Sequence, residues 1–333
     1  MKNIAIVISS LGGGGTQQFI SSLSGFLVEK KFNVYIYQID YLEDNVFIEG
    51  VCLRDLRSTR KGYKRILDLI LMIKKYTLLD SIDTVVSFLP KTNCICCLSS
   101  LFSNYKLVIS ERNDPVRQPQ PLSIRLLRRI TYNFADEITA NTSFATEKLK
   151  YWFPSKKITF TPNSIRNDFL NKNNQKNLPF ALKPMKNIIS VGRYSKQKNL
   201  KELIVAFSIL DDYDSHLYLI GEGNLEKELK DFTLKLNLKN RVSFIPFSFH
   251  IPEWMSQATL LVLPSLYEGS PNVIWEAAYL NLPVIVSSAV EGTLDVLQDK
   301  KSMYMYQSGN VNELVKVMKN ILGDSKLRRM ISV

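Results

Sequence analysis

Glu268 and Glu276 stand eight residues apart in PSLYEGSPNVIWEAAYLNLPVIVSS, residues 264–288, on either side of a Ser-Pro-Asn that reads as a helix start. Ser270 suits an N-cap, and Pro271 suits a first helical residue, where its missing N–H leaves nothing unsatisfied. The helix then runs NVIWEAAYL, with amides near Asn272 and Val273 available to a ligand's oxygens. Glu276 falls about a turn and a half inside this helix and Glu268 in the loop before it, so the two border one site from different heights.

A second stretch, NIISVGRYSKQKNLKELIVAF, puts Arg193 just past a strand end and Lys198 five residues on, before a helix carrying Leu200, Leu203, Ile204 and Phe207 at helical spacing. A guanidinium fork and a mobile ammonium so placed suit a diphosphate, although solvated surface cations read the same way. With that diphosphate between them, the two acids are set to accept hydrogen bonds from hydroxyls at opposite ends of an elongated sugar nucleotide. The loop SSLGGGGTQQF, after a first strand, lets an anion approach a helix start closely; a tight connection is its competing reading. A dinucleotide fingerprint is weakened because Gln18 stands where its third glycine belongs, although Asp40 ends the second strand. A Walker loop fails for want of Gly-Lys-Ser/Thr. No D-x-D-like motif ends a strand, and His216 and His250 alone make no persuasive metal cluster, so neither a metal nor another cofactor is expected.

The elements that must carry these groups alternate along the chain. Short apolar runs and longer amphipathic ones succeed each other, the pattern of parallel strands and crossover helices. Strands are expected near 3–9, 33–39, 84–89, 106–110, 137–140, 158–161, 187–192, 216–220, 242–246, 260–263 and 283–287, with helices between them. The aperiodic NKNNQKNLPFALKPMK, 171–186, reads as a linker between domains at 1–170 and 187–333. The 333-residue length agrees with two domains. Of the formal charge of +12, residues 1–177 carry 25 Lys and Arg against 15 Asp and Glu, so the first domain has the basic surface and suits an anionic partner. Cys52, Cys94, Cys96 and Cys97 have neither metal nor disulfide spacing and are expected to be buried thiols in a reduced cytoplasmic protein. The opening MKNIAIVISSLGGGG runs into glycines without a cleavage site and reads as a strand, and no apolar run reaches the ~20 residues that span a bilayer.

From residue 3 to about 322 the chain resembles the GT-B fold, family 4 retaining glycosyltransferases, which use nucleotide sugars. The resemblance is carried by GGGTQQ, NTSFATEKL, TPNSI, SVGR with KNL, IGEGNLEKEL and the E-x7-E stretch quoted first. It implies two doubly wound Rossmann-like domains facing each other across a cleft. The first would bind the acceptor and the second a nucleotide-diphosphate sugar, UDP- or GDP-type. Gly14 and Gly15 would approach the donor diphosphate, while Arg193 and Lys198 neutralise it. Glu268 would bind the donor sugar, Gly269, Ser270 and Pro271 would shape its pocket, Asn272 and Val273 would lie by the phosphates, and Glu276 would hold the ribose. The base would rest near Pro246 and Phe247. Where the family places a final helix crossing back to the first domain, this sequence stops at Val333, and a short or missing crossover helix is expected.

LVISERNDPVRQPQP places Glu111, Arg112, Asn113 and Asp114 after a strand, where many family members have a histidine. Glu111 or Asp114 would orient an acceptor hydroxyl and Arg112 hold a phosphate or acidic sugar; a loop salt bridge is the competing reading. SERN-type sequences are similar to bacterial transferases that extend surface polysaccharides or lipid-linked oligosaccharides. RKGYKRILDLILMIKKY and SIRLLRRITYNF interleave cations with Leu and Ile, as interfacial helices do, which points to peripheral docking on an anionic membrane at the inner face of the plasma membrane. No motif favours nucleic acid. The expected activity is transfer of a hexose or N-acetylhexosamine to a hydroxyl of a growing, lipid-linked glycan. The alternatives are an epimerase or storage-glucan or sucrose synthase-like enzyme, and a donor-binding protein without turnover.

Overall fold

The computed structural model describes residues 1–11, 15–40, 48–165, 169, 185–210, 212–246, 250–293 and 303–323. The chain divides into two compact units, Met1–Ser164 and Ile165–Val333. Most of the expected linker, up to residue 184, and the segment after residue 323, where a crossover helix was in question, lie outside the described residues.

The first unit runs β1 (Asn3–Ile8), α1 (Gly15–Glu29), β2 (Asn33–Gln38), β3 (Val51–Asp55), α2 (Gly62–Leu79), β4 (Thr84–Phe88), α3 (Pro90–Ser99), β5 (Lys106–Glu111), α4 (Leu122–Thr131), β6 (Glu137–Ala140), α5 (Ser143–Trp152) and β7 (Lys157–Phe160). Its described strands pair in the order β3-β2-β1-β4-β5-β6-β7, all parallel. Helices cover both faces, so the central strands are apolar without alternation: Ala5, Ile6, Val7 and Ile8 are all fully buried. One core gathers Val7, Ile73, Val85, Leu107 and Ile138, and the other Ile6, Ile8, Ile20 and Ile36. Helix α5 starts where Thr142 accepts a hydrogen bond from the Ala145 amide at 3.0 Å.

Edge strand β3, VCLRD, escapes the sequence reading because its residues are half-exposed and its apolar run is short. It is tied in by charge: Arg54 Nη2 lies 2.5 Å from Asp80 Oδ1, and the buried Tyr37 hydroxyl donates to Asp80 Oδ2 at 2.9 Å. The cysteine expectation needs one correction. Cys94, Cys96 and Cys97 are buried in α3, where burial pushes the Cys96 thiol up to about 12, but Cys52 is exposed on β3.

The second unit runs β8 (Lys186–Val191), α6 (Leu200–Ile209), β9 (Ser215–Ile220), α7 (Glu226–Lys235), β10 (Val242–Ile245), α8 (Ile251–Ser256), β11 (Leu260–Leu263), α9 (Asn272–Tyr279), β12 (Val284–Ser287), β13 (Met303–Tyr306) and α10 (Val311–Gly323). The described strands pair in parallel in the order β10-β9-β8-β11-β12-β13. Leu200, Leu203, Ile204 and Phe207 are buried on the inner face of α6, as their spacing requires. Strand β13, MYMY, was missed because it has no β-branched residue and its second and third residues are not fully buried. Both sheets are doubly wound, so in each the order in which strands are added reverses beside the first strand, and the loops leaving the two central strands part there.

Candidate functional site

In the second sheet the reversal falls between β8 and β11, and both motif stretches sit there. After β8 come Gly192 and Arg193; after β11 comes the loop Pro264–Pro271 that leads into α9. The residues singled out by type and spacing therefore meet at the carboxyl edge of one sheet, where open α/β folds place ligands.

Glycines make the turn possible. Gly192 and Gly221 have φ of 153° and 145°, which side-chain-bearing residues rarely adopt, and a Cβ on Gly221 would lie 2.1 Å from the Gly192 carbonyl oxygen. A Cβ on Gly192 would lie 2.9 Å from Lys198 Cε, so the lysine stem is laid across bare backbone. The β8–β9 ladder continues past the strands, with Gly192 N donating to Ile220 O at 2.9 Å and Tyr194 N to Glu222 O at 2.8 Å. Tyr194 is buried beneath, its hydroxyl donating to Leu219 O at 2.7 Å, and burial raises its pKa. Gly221→Ala combines a forbidden φ with a backbone clash, and is expected to cost about 2–4 kcal/mol. Thermal unfolding checks it: the second unit's melting temperature should fall by at least ~5 °C.

Lys198 does not stand free above this turn. Its Nζ lies 2.6 Å from Glu268 Oε1, with the two side chains 16% and 8% exposed. Gln197 donates its amide to Glu268 Oε2 at 3.2 Å and to the Tyr267 carbonyl at 2.9 Å, while its own carbonyl accepts from Leu266 N at 2.8 Å. The short helical turn Lys196–Lys198 is thus stitched to the loop after β11, and Glu268 is oriented by two donors. Gln197 was missed by sequence reasoning; nothing in its type sets it apart from any surface glutamine. Arg193 is exposed and has no ion pair or hydrogen bond among the described residues.

Helix α9 begins one residue later than expected. Pro271 occupies the N-cap, with φ −71° and ψ 115°, and Asn272 is the first helical residue. Ser270 precedes the cap, and its Oγ accepts from the Trp275 indole at 3.2 Å, fixing the loop against the first turn. Gly269, Ser270 and Pro271 are buried, Asn272 and Val273 half-buried, and Glu276 is 2% exposed on the helix interior. Behind them the Ser287 hydroxyl donates to the Ser265 carbonyl, tying β12 to the loop. Pro246 follows β10 and is exposed, while Phe247 lies outside the described residues.

In the first unit, Gly15 opens α1 after β1, and Gly14 lies outside the described residues. The E-R-N-D cluster is drawn inward. Glu111 is fully buried, accepts from the Tyr132 hydroxyl, and has its Oε2 3.6 Å from Arg128 Nη2. Arg112 donates to Ser110 Oγ at 2.9 Å, Thr161 O at 3.1 Å and Asn163 Oδ1 at 2.9 Å, with its guanidinium 3.7 Å from the Phe19 ring centroid; burial lowers its pKa to about 9. Asp114 accepts from the Val116 and Arg117 amides, each at 2.8 Å, and closes a turn. Asn113 is half-buried. These contacts organise the loop after β5; Asp114 finds its partners within three residues, whereas Thr161 and Asn163, and the Tyr132 and Arg128 that meet Glu111, lie too far along the chain to be read from the cluster itself.

Residues 172–332 match the family described as glycosyl transferases group 1. Over 99% of its length the chain is 28% identical to the Campylobacter jejuni N-acetylgalactosamine-N,N'-diacetylbacillosaminyl-diphospho-undecaprenol 4-alpha-N-acetylgalactosaminyltransferase, of which it covers 92%. Among solved structures, sucrose-phosphate synthase from Thermosynechococcus elongatus superposes with a TM-score of 0.84 at 16% identity, covering 100% of this chain and 92% of that one. Anabaena HepE in complex with UDP and glucose gives a TM-score of 0.82 at 15% identity, covering 100% and 93%. The GT-B fold expected from the motifs is the fold found.

Proposed function

We propose that this chain, a glycosyltransferase whose residues 172–332 match the family of glycosyl transferases group 1, moves a hexose or N-acetylhexosamine from a nucleotide-diphosphate sugar to a hydroxyl of a lipid-linked glycan, with retention of configuration. The observation that carries this reading is the clustering of Arg193, Lys198, Glu268 and the start of α9 at the reversal point of one parallel sheet.

As the bond between the anomeric carbon and the diphosphate breaks, negative charge grows on the departing nucleoside diphosphate. Arg193, with no competing partner, meets that charge, and the first-turn amides of α9 add their dipoles. Lys198 serves both sides: it neutralises Glu268 in the absence of donor and reaches phosphate when donor is bound. Glu268 holds sugar hydroxyls, a role favoured over that of a covalent nucleophile because Lys198 and Gln197 already occupy its two oxygens. Glu276 accepts from the ribose. Side-chain cations supply the charge, so this reading requires no metal or other cofactor.

The lipid-linked acceptor follows the undecaprenyl diphosphate substrate in the name of the Campylobacter relative. Docking on an anionic membrane is supported by the first unit: α2 exposes Tyr63, Leu67, Leu71 and Leu78 beside Arg60, Lys64 and Lys75, and no helix of the described residues is long and apolar enough to cross a membrane. Peripheral attachment to the cytoplasmic leaflet follows from this reading. The test is transfer from a panel of UDP- and GDP-sugars, UDP first, to a short polyprenyl diphosphate-linked sugar, with the anomeric configuration read by NMR. A product retaining the donor's configuration is expected. Donor epimerisation without acceptor, or nucleotide binding with no transfer to any acceptor, would reject the proposal in favour of an epimerase or a binding protein.

A further inference from the structure

A concave site lies in the first unit. Between α4 and the turn after β5 is a cavity of about 210 Å³ lined by Pro115, Leu122, Arg125, Leu126, Arg128, Arg129, Trp152 and Phe153. A hollow of about 200 Å³ adjoins it, sharing Pro115 and Arg125 and adding Arg117.

Its charge is unbalanced. Helix α4, LSIRLLRRIT, contains three arginines and no acid. Arg125 and Arg129 are exposed, one turn apart, and neither guanidinium has an ion pair or hydrogen bond among the described residues. Arg128 is 4% exposed, and its Nη2 makes no hydrogen bond; it lies 3.6 Å from Glu111 Oε2, the single carboxylate it pairs with. The Trp152 ring stacks under the guanidinium groups of Arg128 and Arg129, at 5.4 and 5.3 Å, and holds them at the cavity wall. A buried guanidinium with an unmet donor, beside two exposed ones, is a receptor for an anion with several oxygens.

The other walls are apolar and continue outward. Leu122, Leu126 and Ile130, at helical spacing on α4, are 68%, 57% and 63% exposed. Leaving three large aliphatic side chains in water beside an arginine cluster is costly for a site that takes a free ion, and suits one whose ligand joins an anionic head to an apolar chain.

We propose that this groove binds the head of the lipid-linked acceptor: the diphosphate on Arg125, Arg128 and Arg129, and the first part of the hydrocarbon chain along Leu122, Leu126 and Ile130. This rests on the lipid-linked reading above. It assigns to the exposed face of α4 a role in holding the carrier, through residues other than those proposed for the donor.

Farnesyl diphosphate is the probe, titrated into the full chain while tryptophan fluorescence is followed. Saturable one-to-one binding is expected, with a signal that disappears in Trp152→Phe. The Arg125→Gln/Arg129→Gln variant should weaken binding at least tenfold; both residues are exposed, so its melting curve should match wild type. Inorganic pyrophosphate should bind at least tenfold more weakly than farnesyl diphosphate. The proposal is overturned if farnesyl diphosphate does not saturate, if the double variant binds it equally well, or if pyrophosphate binds as tightly, which would make the site one for a free ion. Capture on phosphatidylglycerol vesicles through the same arginines, without saturable binding of the probe, also overturns it and assigns the face to the bilayer surface. Nucleotide-sugar binding, followed separately by thermal shift, reports on the donor residues and uses none of the groove's arginines, so a failure of the donor site is distinguishable from a failure of the groove.

Discussion

Replacing Arg193 with alanine is expected to lower the turnover of sugar transfer about 100-fold, the scale of removing one preorganised charge from a developing anion, and to leave the melting temperature within about 1 °C. The separation follows from the side chain's setting. Arg193 is exposed at the end of β8 and has no partner among the described residues, so the resting protein loses no contact when it is shortened. Its whole effect falls on the state in which diphosphate charge is present. Arg193→Lys should recover only part of the rate, since an ammonium cannot form the two parallel hydrogen bonds of a guanidinium with a phosphate. Steady-state kinetics beside a melting curve checks both halves. Wild-type turnover in Arg193→Ala would remove the residue from the mechanism.

Lys198 is expected to behave in the opposite way, harming fold and function together. Lys198→Met leaves the Glu268 carboxylate, 8% exposed, without its 2.6 Å counter-ion. An uncompensated carboxylate in that setting costs about 3 kcal/mol, and the second unit should melt roughly 5–10 °C lower. Transfer should fall at least ~100-fold. Adding Glu268→Gln to Lys198→Met removes the stranded charge, so most of the lost melting temperature should return while transfer stays low. If the double variant melts as low as Lys198→Met, the pair is not what holds the loop after β11. If it transfers sugar normally, neither residue belongs to the chemistry.

Much of this arrangement could be read from residue types alone, for a physical reason. Central strands of a sheet covered on both faces must be apolar throughout, so β1, β5, β8 and β11 announce themselves. Edge strands are less buried; β7 and β10 were still read from ITF and VSFI, whereas β3, with two charged residues in VCLRD, and β13, without a β-branched residue, were missed. The E-x7-E stretch was legible because a proline at a helix start and two acids on either side form a rare combination. Its error of one residue at the N-cap lies in Pro271, whose ψ of 115° is extended, so the helix opens at Asn272. Glu111 and Asp114 look like loop acids open to a ligand. Their true partners, Arg128 on the next helix and the amides of a turn, emerge only when the chain is folded. Gln197 is the converse case: its type carries no distinguishing signal, and only the 2.9 and 3.2 Å contacts reveal that it orients the loop and Glu268.

The central claim is that a nucleotide-diphosphate sugar binds the carboxyl edge of the second sheet, between the loop after β8 and the start of α9. Calorimetric titration of the full chain and its Glu276→Ala variant with UDP- and GDP-sugars tests it most directly. Glu276 is almost wholly buried, and its loss removes the acceptor proposed for the ribose hydroxyls. One-to-one binding of at least one donor to the wild type is expected, with an affinity about tenfold lower in the variant, a loss of about 1.4 kcal/mol. Equal affinity in the two proteins, or no binding of any donor to the wild type, would contradict it.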